Sequence, residues 1–406
     1  MKISFVIPSR NNLKYLKWCY DAIRKNQGEH IVEICVADDF SSDGTWEWCQ
    51  QILAAGDTHF KCIRNEGPDR IGLTILYNTL VNEVASHDIC MIYHADMYLC
   101  PGALDAIEKH IGDKKIVSLT RIEPPLHPPG PEKVIFDAGI EPELFNEPAL
   151  LEKVNSLWQP TVINLDSILV TEGVFAPWAF MKADFQEIGG HDELFAPQTK
   201  EDSDIFNRFQ LNGVKFVQTW QGFVYHMTCR GSRFNPTITT VGQNSPEWEA
   251  QNLRSSRNFI RKWGHFVKHD RHMKPIVPHK YNIGFVVHNC TYELLELLEP
   301  WCDNIYFVDE QEILKSKYIA AEQPNTKFNL KDRIRTQLYH LAEPENDIIM
   351  EFKADMFSNQ SFNLIQNFAE WLDFYEPSSG DYAADIFNIK INRVETYEKN
   401  LIICQK

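Results

Sequence analysis

The ten cysteines of this 406-residue chain form no CxxC pair and no Cys/His spacing of the zinc-site kind, which excludes a zinc-ribbon or zinc-finger framework. Several of them, including Cys35, Cys62, Cys90 and Cys100, stand inside apolar segments and are expected as buried, reduced thiols. No apolar run is long enough to span a bilayer, and Met1 leads straight into the strand-like KISFVIPS without a basic leader and cleavage site. A soluble, cytoplasmic protein is the expectation. Basic residues are in deficit: the net charge is −16, which excludes a general nucleic-acid binder, since phosphate neutralisation needs clustered Lys and Arg. An anionic partner must then be met by a local site. The stretch VIPSRNN, at the end of the first strand pattern, has no glycine; this counts against a nucleotidyltransferase, whose phosphate loop needs Gly together with Arg and Lys.

What is present is a packed globular composition, 44% apolar with 12% aromatic residues, at a length comfortable for two domains. Strand patterns alternate with helical ones, predicting an α/β layered fold with a largely parallel sheet. ISFVIPS is a first strand; NLKYLKWCYDAIRKN follows with Leu13, Leu16, Tyr20 and Ile23 at helical spacing. IVEICVADD, GTWEWCQQILAA, HFKCIRNE and GLTILYNTLVNEV continue the alternation, and DICMIYHADM reads as a fourth strand ending on Asp96. Open α/β sheets bind ligands outside the carboxyl ends of their strands, and Asp38, Asp39, Asp43 and Asp96 all fall there. Acids converging on one crevice suit a hard divalent cation, Mn²⁺ or Mg²⁺, held by one or two carboxylates together with substrate phosphates. Such a cation would let an acidic protein hold an anionic diphosphate. The alternative is that Asp38, Asp39 and Ser41 cap the helix starting near Thr45.

VIPSRNN, VADDFSSDGT, YHADM, EIGGHDELF, KEDSDIFNRFQLNG and FVYH occur in that order, and together they resemble the GT-A fold glycosyltransferases, family 2 in particular. EDSDIFNRFQLNG, followed by a strand ending in His, is similar to the corresponding stretch of the β-1,4-galactosyltransferases. The resemblance covers residues 1 to about 265 and implies a GT-A, Rossmann-like nucleotide-binding domain. It implies that Pro8, Ser9, Arg10, Asp38, Asp39 and Asp43 hold the nucleotide, that Asp96 is the metal ligand matching the last acid of a DxD motif, and that His226 closes the metal and diphosphate site. Asp202 matches the catalytic base of inverting enzymes, with Glu201 beside it facing the acceptor. The motif departs from DxD in reading HAD, so that His94 stands where the first acid would be. His94 is either a third ligand or a structural residue near the sheet edge.

The implied activity is metal-dependent, inverting transfer of a hexosyl group from a nucleoside-diphosphate sugar, a UDP-sugar favoured, to a hydroxyl of a glycan, glycolipid or protein glycan. The rival is a noncatalytic carbohydrate-binding or scaffold protein with a decayed site, at which HAD hints and against which Glu201, Asp202 and His226 speak. GGHDELF supplies the loop into the acidic helix, with Gly189 and Gly190 permitting turns that other residues resist. RIEPPLHPPGPEK predicts a stiff, irregular excursion after Thr120, an acceptor-side insertion; Trp158 and Trp178 either stack on sugar rings there or, as most Trp residues do, belong to the core.

The last third of the chain repeats the first in outline. YNIGFVVHNC echoes MKISFVIPSR, NDIIMEFKADM echoes HDICMIYHADM, and KDRIRTQLYHL echoes PDRIGLTILYNTL. The expected organisation is a GT-A domain over 1–268, a linker over 269–280, and a degenerate partial copy over 281–406 that lacks DGT, the ED helix and a terminal His. The linker is rich in His, Lys and Pro; it reads as solvated, with peripheral contact to an anionic membrane as the second reading.

Overall fold

The structure is a computed structural model that describes residues 1–157, 170–228, 230, 244–308, 311–335 and 345–404. The chain divides into two compact units, the first comprising Met1–Gln251, His269–Pro275 and Ile403–Lys406, the second Asn252–Lys268 and Ile276–Ile402.

In the first unit, strands β1 (Lys2–Ser9), β2 (Ile31–Asp38), β3 (Phe60–Arg64) and β4 (Ile89–Ile92) alternate with helices α1 (Leu13–Asn26), α2 (Thr45–Ala54) and α3 (Leu73–Thr79). There follow β5 (Met97–Leu99), α4 (Ala103–His110), β6 (Lys115–Glu123), β7 (Lys133–Ile135), α5 (Glu147–Leu157), β8 (Val170–Thr171), β9 (Trp178–Met181), α6 (Lys182–Glu187), α7 (Glu201–Leu211) and β10 (Lys215–His226). The sheet runs β3-β2-β1-β4-β9-β6-β10-β5, with β7 beside β6 and β8 beside β10. β1 and β2 are buried from their second or third residue on, as strands covered on both faces must be. The sheet is α/β but mixed: β9 runs antiparallel to both β4 and β6, and β5 and β8 run antiparallel to β10. No run of apolar residues announces strand direction, which is why the sequence pattern overstates the parallel character.

Three local expectations are corrected. The fourth strand stops at Ile92, and Asp96 lies in a turn closed by the Met97 N–H on the His94 carbonyl. The proline excursion is bracketed by paired strands, with Arg121 opposite Lys133 and Glu123 opposite Ile135, because Pro124 onward removes only the donors of the loop itself. Trp178 is 0% exposed and packs against Phe180, Phe206 and Phe209, so of its two readings the core one holds; Trp158 lies outside the described residues.

Helix α8 (Pro246–Trp263) changes unit at Asn252, and the stretch from His269 to Pro275 groups with the first unit. The division thus falls inside a helix rather than in the basic run, where composition would put it. Within that run Lys274 pairs with Glu172, Lys268 with Glu370 and Lys280 with Asp303.

The second unit holds β11 (Ile283–His288), α9 (Tyr292–Leu298), β12 (Asn304–Phe307), α10 (Glu312–Glu322), α11 (Leu330–Arg333), β13 (Ile334–Arg335), β14 (Ile348–Lys353), α12 (Asn359–Gln366), α13 (Phe368–Tyr375), β15 (Gly380–Ala384) and β16 (Phe387–Ile391). Its sheet order, β13-β12-β11-β14-β16-β15, reproduces the β3-β2-β1-β4-β9 half of the first sheet, including the antiparallel fifth strand. Register agrees as well. Ile3 faces Ile89 and Phe5 faces Met91 in the first unit, while Ile283 faces Ile348 and Phe285 faces Met350 in the second. The ADM triplets are therefore equivalent, whereas the DRI triplets are not. Ile334 pairs with Ile305 in β12, the place Phe60 takes against Ile34, while Ile71 lies in the loop beyond β3.

The core of the second unit encloses an ionic knot. Glu299, fully buried, accepts from Arg261 at 2.6 and 2.9 Å, from Arg333 at 2.7 Å and from the Tyr318 hydroxyl at 3.0 Å. Removing one partner of a buried pair leaves uncompensated charge, so Glu299→Ala should destabilise this unit by about 3–5 kcal/mol. Urea denaturation followed by fluorescence checks this; a loss below about 1 kcal/mol would mean that water screens the knot.

Candidate active site

The carboxyl ends of β1, β2, β4 and β10 and the start of α7 carry the residues singled out above. His94, Asp96 and His226 come together, each offering one ligand atom, with all these atoms within 4.8 Å of one another. Sheet order explains the meeting. β10 lies between β6 and β5; Tyr225 pairs with Ile122 on one side and His226 with Met97 on the other. The terminal His226 thus has Asp96 at one hand and Glu123 at the other.

His226 Nε2 stands 3.4 Å from Asp96 Oδ1 and its Nδ1 2.9 Å from Glu123 Oε1. Asp96 and His226 are each 8% exposed. Burial alone would favour neutral imidazole, but the Asp96 and Glu123 carboxylates outweigh it and raise His226 to about 9. His94, 5.7 Å from His226 between ring centres, is instead pulled down to about 4 by burial and then by the neighbouring imidazolium. Two imidazoles and one carboxylate form a mixed nitrogen and oxygen set. Such a set fits a first-row divalent ion such as Mn²⁺ better than Mg²⁺, which prefers oxygen throughout.

The nucleotide-side residues are held in different ways. Among the described residues the buried Ser9 Oγ has no hydrogen-bond partner and the half-buried Arg10 makes no ion pair. Pro8 is buried within β1 opposite Ala37. Asp38 accepts from the Ser41 N–H at 3.1 Å and faces Arg64 Nε at 3.2 Å. Asp39 receives the Gly72 and Ile71 N–H groups, both at 3.0 Å, and Asn65 at 2.8 Å, fixing the loop before α3. Gly72 has φ +85° and a Cβ there would sit 2.2 Å from Pro197, so only glycine permits this approach. Asp43 spends its oxygens on the Leu13 N–H and on Thr45, at the starts of α1 and α2. The helix-capping alternative thus applies to Asp43, not to Asp38 or Asp39.

Helix α7 opens on Glu201 and Asp202. Before it, Thr199 and Lys200 both take left-handed φ, +76° and +67°, unusual for any side chain and most of all for a β-branched one. Strain of this kind persists where the surroundings over-determine it, as they do at functional sites. Glu201 is 8% exposed with Oε2 unpartnered, while Asp202 is half-buried. Burial, then the Asp202 charge, raises Glu201, and burial raises Asp202. Both carboxyls are thereby moved toward the range in which a proton can be taken and returned near neutral pH. Arg208, fully buried on the same helix, donates to Asp204 and to the Ile188 and Gly190 carbonyls, tying the helix to the Gly189–Gly190 turn. Burial, then the charges of Asp202, Glu201 and Asp96, hold the phenol of Tyr77 in α3 neutral.

Sequence reasoning missed Glu123, Arg121 and Tyr77. The available signal for the first two was RIE, an Arg and a Glu two apart and so on one face of a strand end, beside which the prolines drew attention away.

The fold and the site together define a mixed α/β domain with a His/Asp cluster and an acidic helix at the strand ends. Residues 4–187 match the family described as glycosyl transferase family 2. An uncharacterized protein of Mycobacterium tuberculosis, MT1568, is 33% identical over 114 residues, which cover 28% of this chain and 34% of that protein. The match thus spans about a third of that relative's length. Among solved structures, GalNAc-T7 with UDP, GalNAc and Mn²⁺ is similar at TM-score 0.43 and 16% identity, over 64% of this chain and 48% of that one. The Pyrobaculum calidifontis mannosyltransferase PcManGT, with GDP-Man and Mn²⁺, aligns at TM-score 0.40 and 14% identity, over 64% and 61%. S. aureus TarS with UDP-GlcNAc aligns at TM-score 0.37 and 16% identity, over 64% and 66%. No helix among the described residues is long and apolar enough to cross a membrane.

Proposed function

We propose that the first unit is a metal-dependent, inverting glycosyltransferase that moves a hexosyl group from a nucleoside-diphosphate sugar to a hydroxyl of a glycan, glycolipid or protein glycan. The observation that carries this reading is the gathering of His94, Asp96 and His226 at the strand ends. A divalent ion held by the three would neutralise charge developing on the departing diphosphate. Ser9 and Arg10, whose hydroxyl and guanidinium have no partner among the described residues, supply a donor and a cation toward that diphosphate. Asp202, accessible and with its proton affinity raised, takes the proton of the attacking hydroxyl. Glu201 offers its unpartnered oxygen to orient the acceptor. The match of residues 4–187 supports the class of reaction, and a UDP-sugar remains the favoured donor.

A thermal-shift screen of UDP and GDP with and without Mn²⁺ tests the reading, because a ligand that binds only the folded state raises its midpoint. Nucleotide stabilisation that requires the metal is expected; none with any nucleoside diphosphate would remove it. The anomeric form of the product tests inversion.

The second unit is assigned no chemistry. Lys353 and Asp355 are exposed and make no ion pair with one another, and His288 pairs instead with Glu351 at 2.8 Å. Asp355→Ala is expected to leave transfer within about three-fold of normal, the range of an exposed substitution. A silenced enzyme would make the second copy a working site.

A further inference from the structure

We infer that Glu123 is a positioning residue for the metal site: it fixes the ring of His226 so that Nε2, and not Nδ1, is presented toward Asp96 and the ion. This rests on the reading of His94, Asp96 and His226 as the metal site.

Glu123 is the last residue of β6, 1% exposed, and nothing in its sequence neighbourhood marks it as a ligand. Its Oε1 is 2.9 Å from His226 Nδ1. The same oxygen receives Arg121 Nη1 at 2.8 Å, and Oε2 lies 3.1 Å from Lys133 Nζ. Arg121 is itself pinned, its guanidinium 3.5 Å over the Phe175 ring. The carboxylate therefore cannot swing away: two cations, one of them clamped by an aromatic face, hold it against the imidazole. An imidazole whose Nδ1 hydrogen is given to a fixed carboxylate keeps its Nε2 lone pair for ligation, and the hydrogen bond makes that nitrogen a better donor. β7 takes part in this as well, because its parallel pairing with β6 is what brings Lys133 to Glu123.

The rival is that Glu123 is only the anion of a buried ion-pair cluster. Two variants separate the roles. Glu123→Gln keeps the volume but removes the charge; Glu123→Asp keeps the charge for Arg121 and Lys133 but withdraws the carboxylate from His226 by one methylene. Mn²⁺ binding to the full chain is measured by the paramagnetic resonance of free Mn²⁺, alone and with UDP or GDP, and thermal midpoints are taken in EDTA. Positioning predicts that both variants bind Mn²⁺ about 10- to 100-fold more weakly. It also predicts that Glu123→Asp melts in EDTA close to the unaltered protein, and that neither substitution weakens binding further in a His226→Ala background. Mn²⁺ affinity within two-fold of normal in Glu123→Asp would overturn the inference, as would an undiminished effect in the His226→Ala background. If the unaltered chain binds Mn²⁺, such results strike Glu123 alone; if it binds none under any of these conditions, the metal site falls and this inference with it.

Discussion

Asp96→Ala is expected to abolish Mn²⁺-dependent binding of a nucleoside diphosphate while the protein stays folded. Asp96 is the one carboxylate of the His94, Asp96 and His226 group, and a site left with two imidazoles loses both its only anionic ligand and the charge that attracts the cation. A loss of about 10²-fold or more in metal-dependent affinity follows. The fold should survive because Asp96 sits in a turn, and among the described residues the ion pair of its side chain is with His226. Calorimetric titration with UDP or GDP in Mn²⁺ and again in EDTA measures the effect. Unchanged affinity in the variant, with normal binding by the unaltered protein, would take Asp96 out of the site.

The second large effect is on the chemical step. Asp202→Asn keeps size and hydrogen-bonding shape but cannot accept the proton of the attacking hydroxyl. Transfer should fall by about 10²-fold or more, with nucleotide and metal affinity retained, the signature of an interaction needed only in the transition state. Because Asp202 charge also raises Glu201, the variant should leave Glu201 more readily ionised. Residual activity in Asp202→Asn should therefore extend to lower pH than that of the unaltered enzyme: a pKa moved down keeps the carboxylate ionised further into acid. Initial rates from pH 5 to 9 test both statements. Near-normal turnover would end the assignment of Asp202 as base, and a retained anomeric configuration would end the inverting mechanism.

The parts of this fold that were legible share one property: their signal is local. β1, β2 and β3 and their helices carry it in apolar runs and in helical spacing, and α1 buries Leu16 and Ile23 as that spacing requires. His94, Asp96 and His226 were legible only through the resemblance of YHADM and FVYH to a known family, since residues more than a hundred positions apart have no local signal of contact. Glu123 had only the faint local signal of RIE, which says nothing of its partner. It joins His226 because β10 happens to lie between β6 and β5, a matter of strand order that no window of sequence displays. The same limit explains the misplaced DRI match: three identical letters carry no information about which of them enters a strand, whereas the ADM match sat on apolar runs long enough to set register. The boundary inside α8 was hidden for the opposite reason, in that a continuous helix crosses it without any change of composition.

One irregularity of β10 has an effect out of proportion to its size. Between Thr219, opposite Leu119, and Phe223, opposite Thr120, the strand carries Trp220, Gln221 and Gly222 with no counterpart in β6. Side chains alternate along a strand, so every residue after the bulge depends on its length for the face it shows. Deleting one residue there either shortens the bulge with Phe223 still opposite Thr120 or, where the pairing slips by one, sends the side chain of His226 to the opposite face from Asp96 and Glu123. Chains in which the pairing slips there by one residue are expected to keep the sheet and lose the meeting of His226 with Asp96 and Glu123, while a slip of two residues would slide His226 along the strand and leave it on its present face.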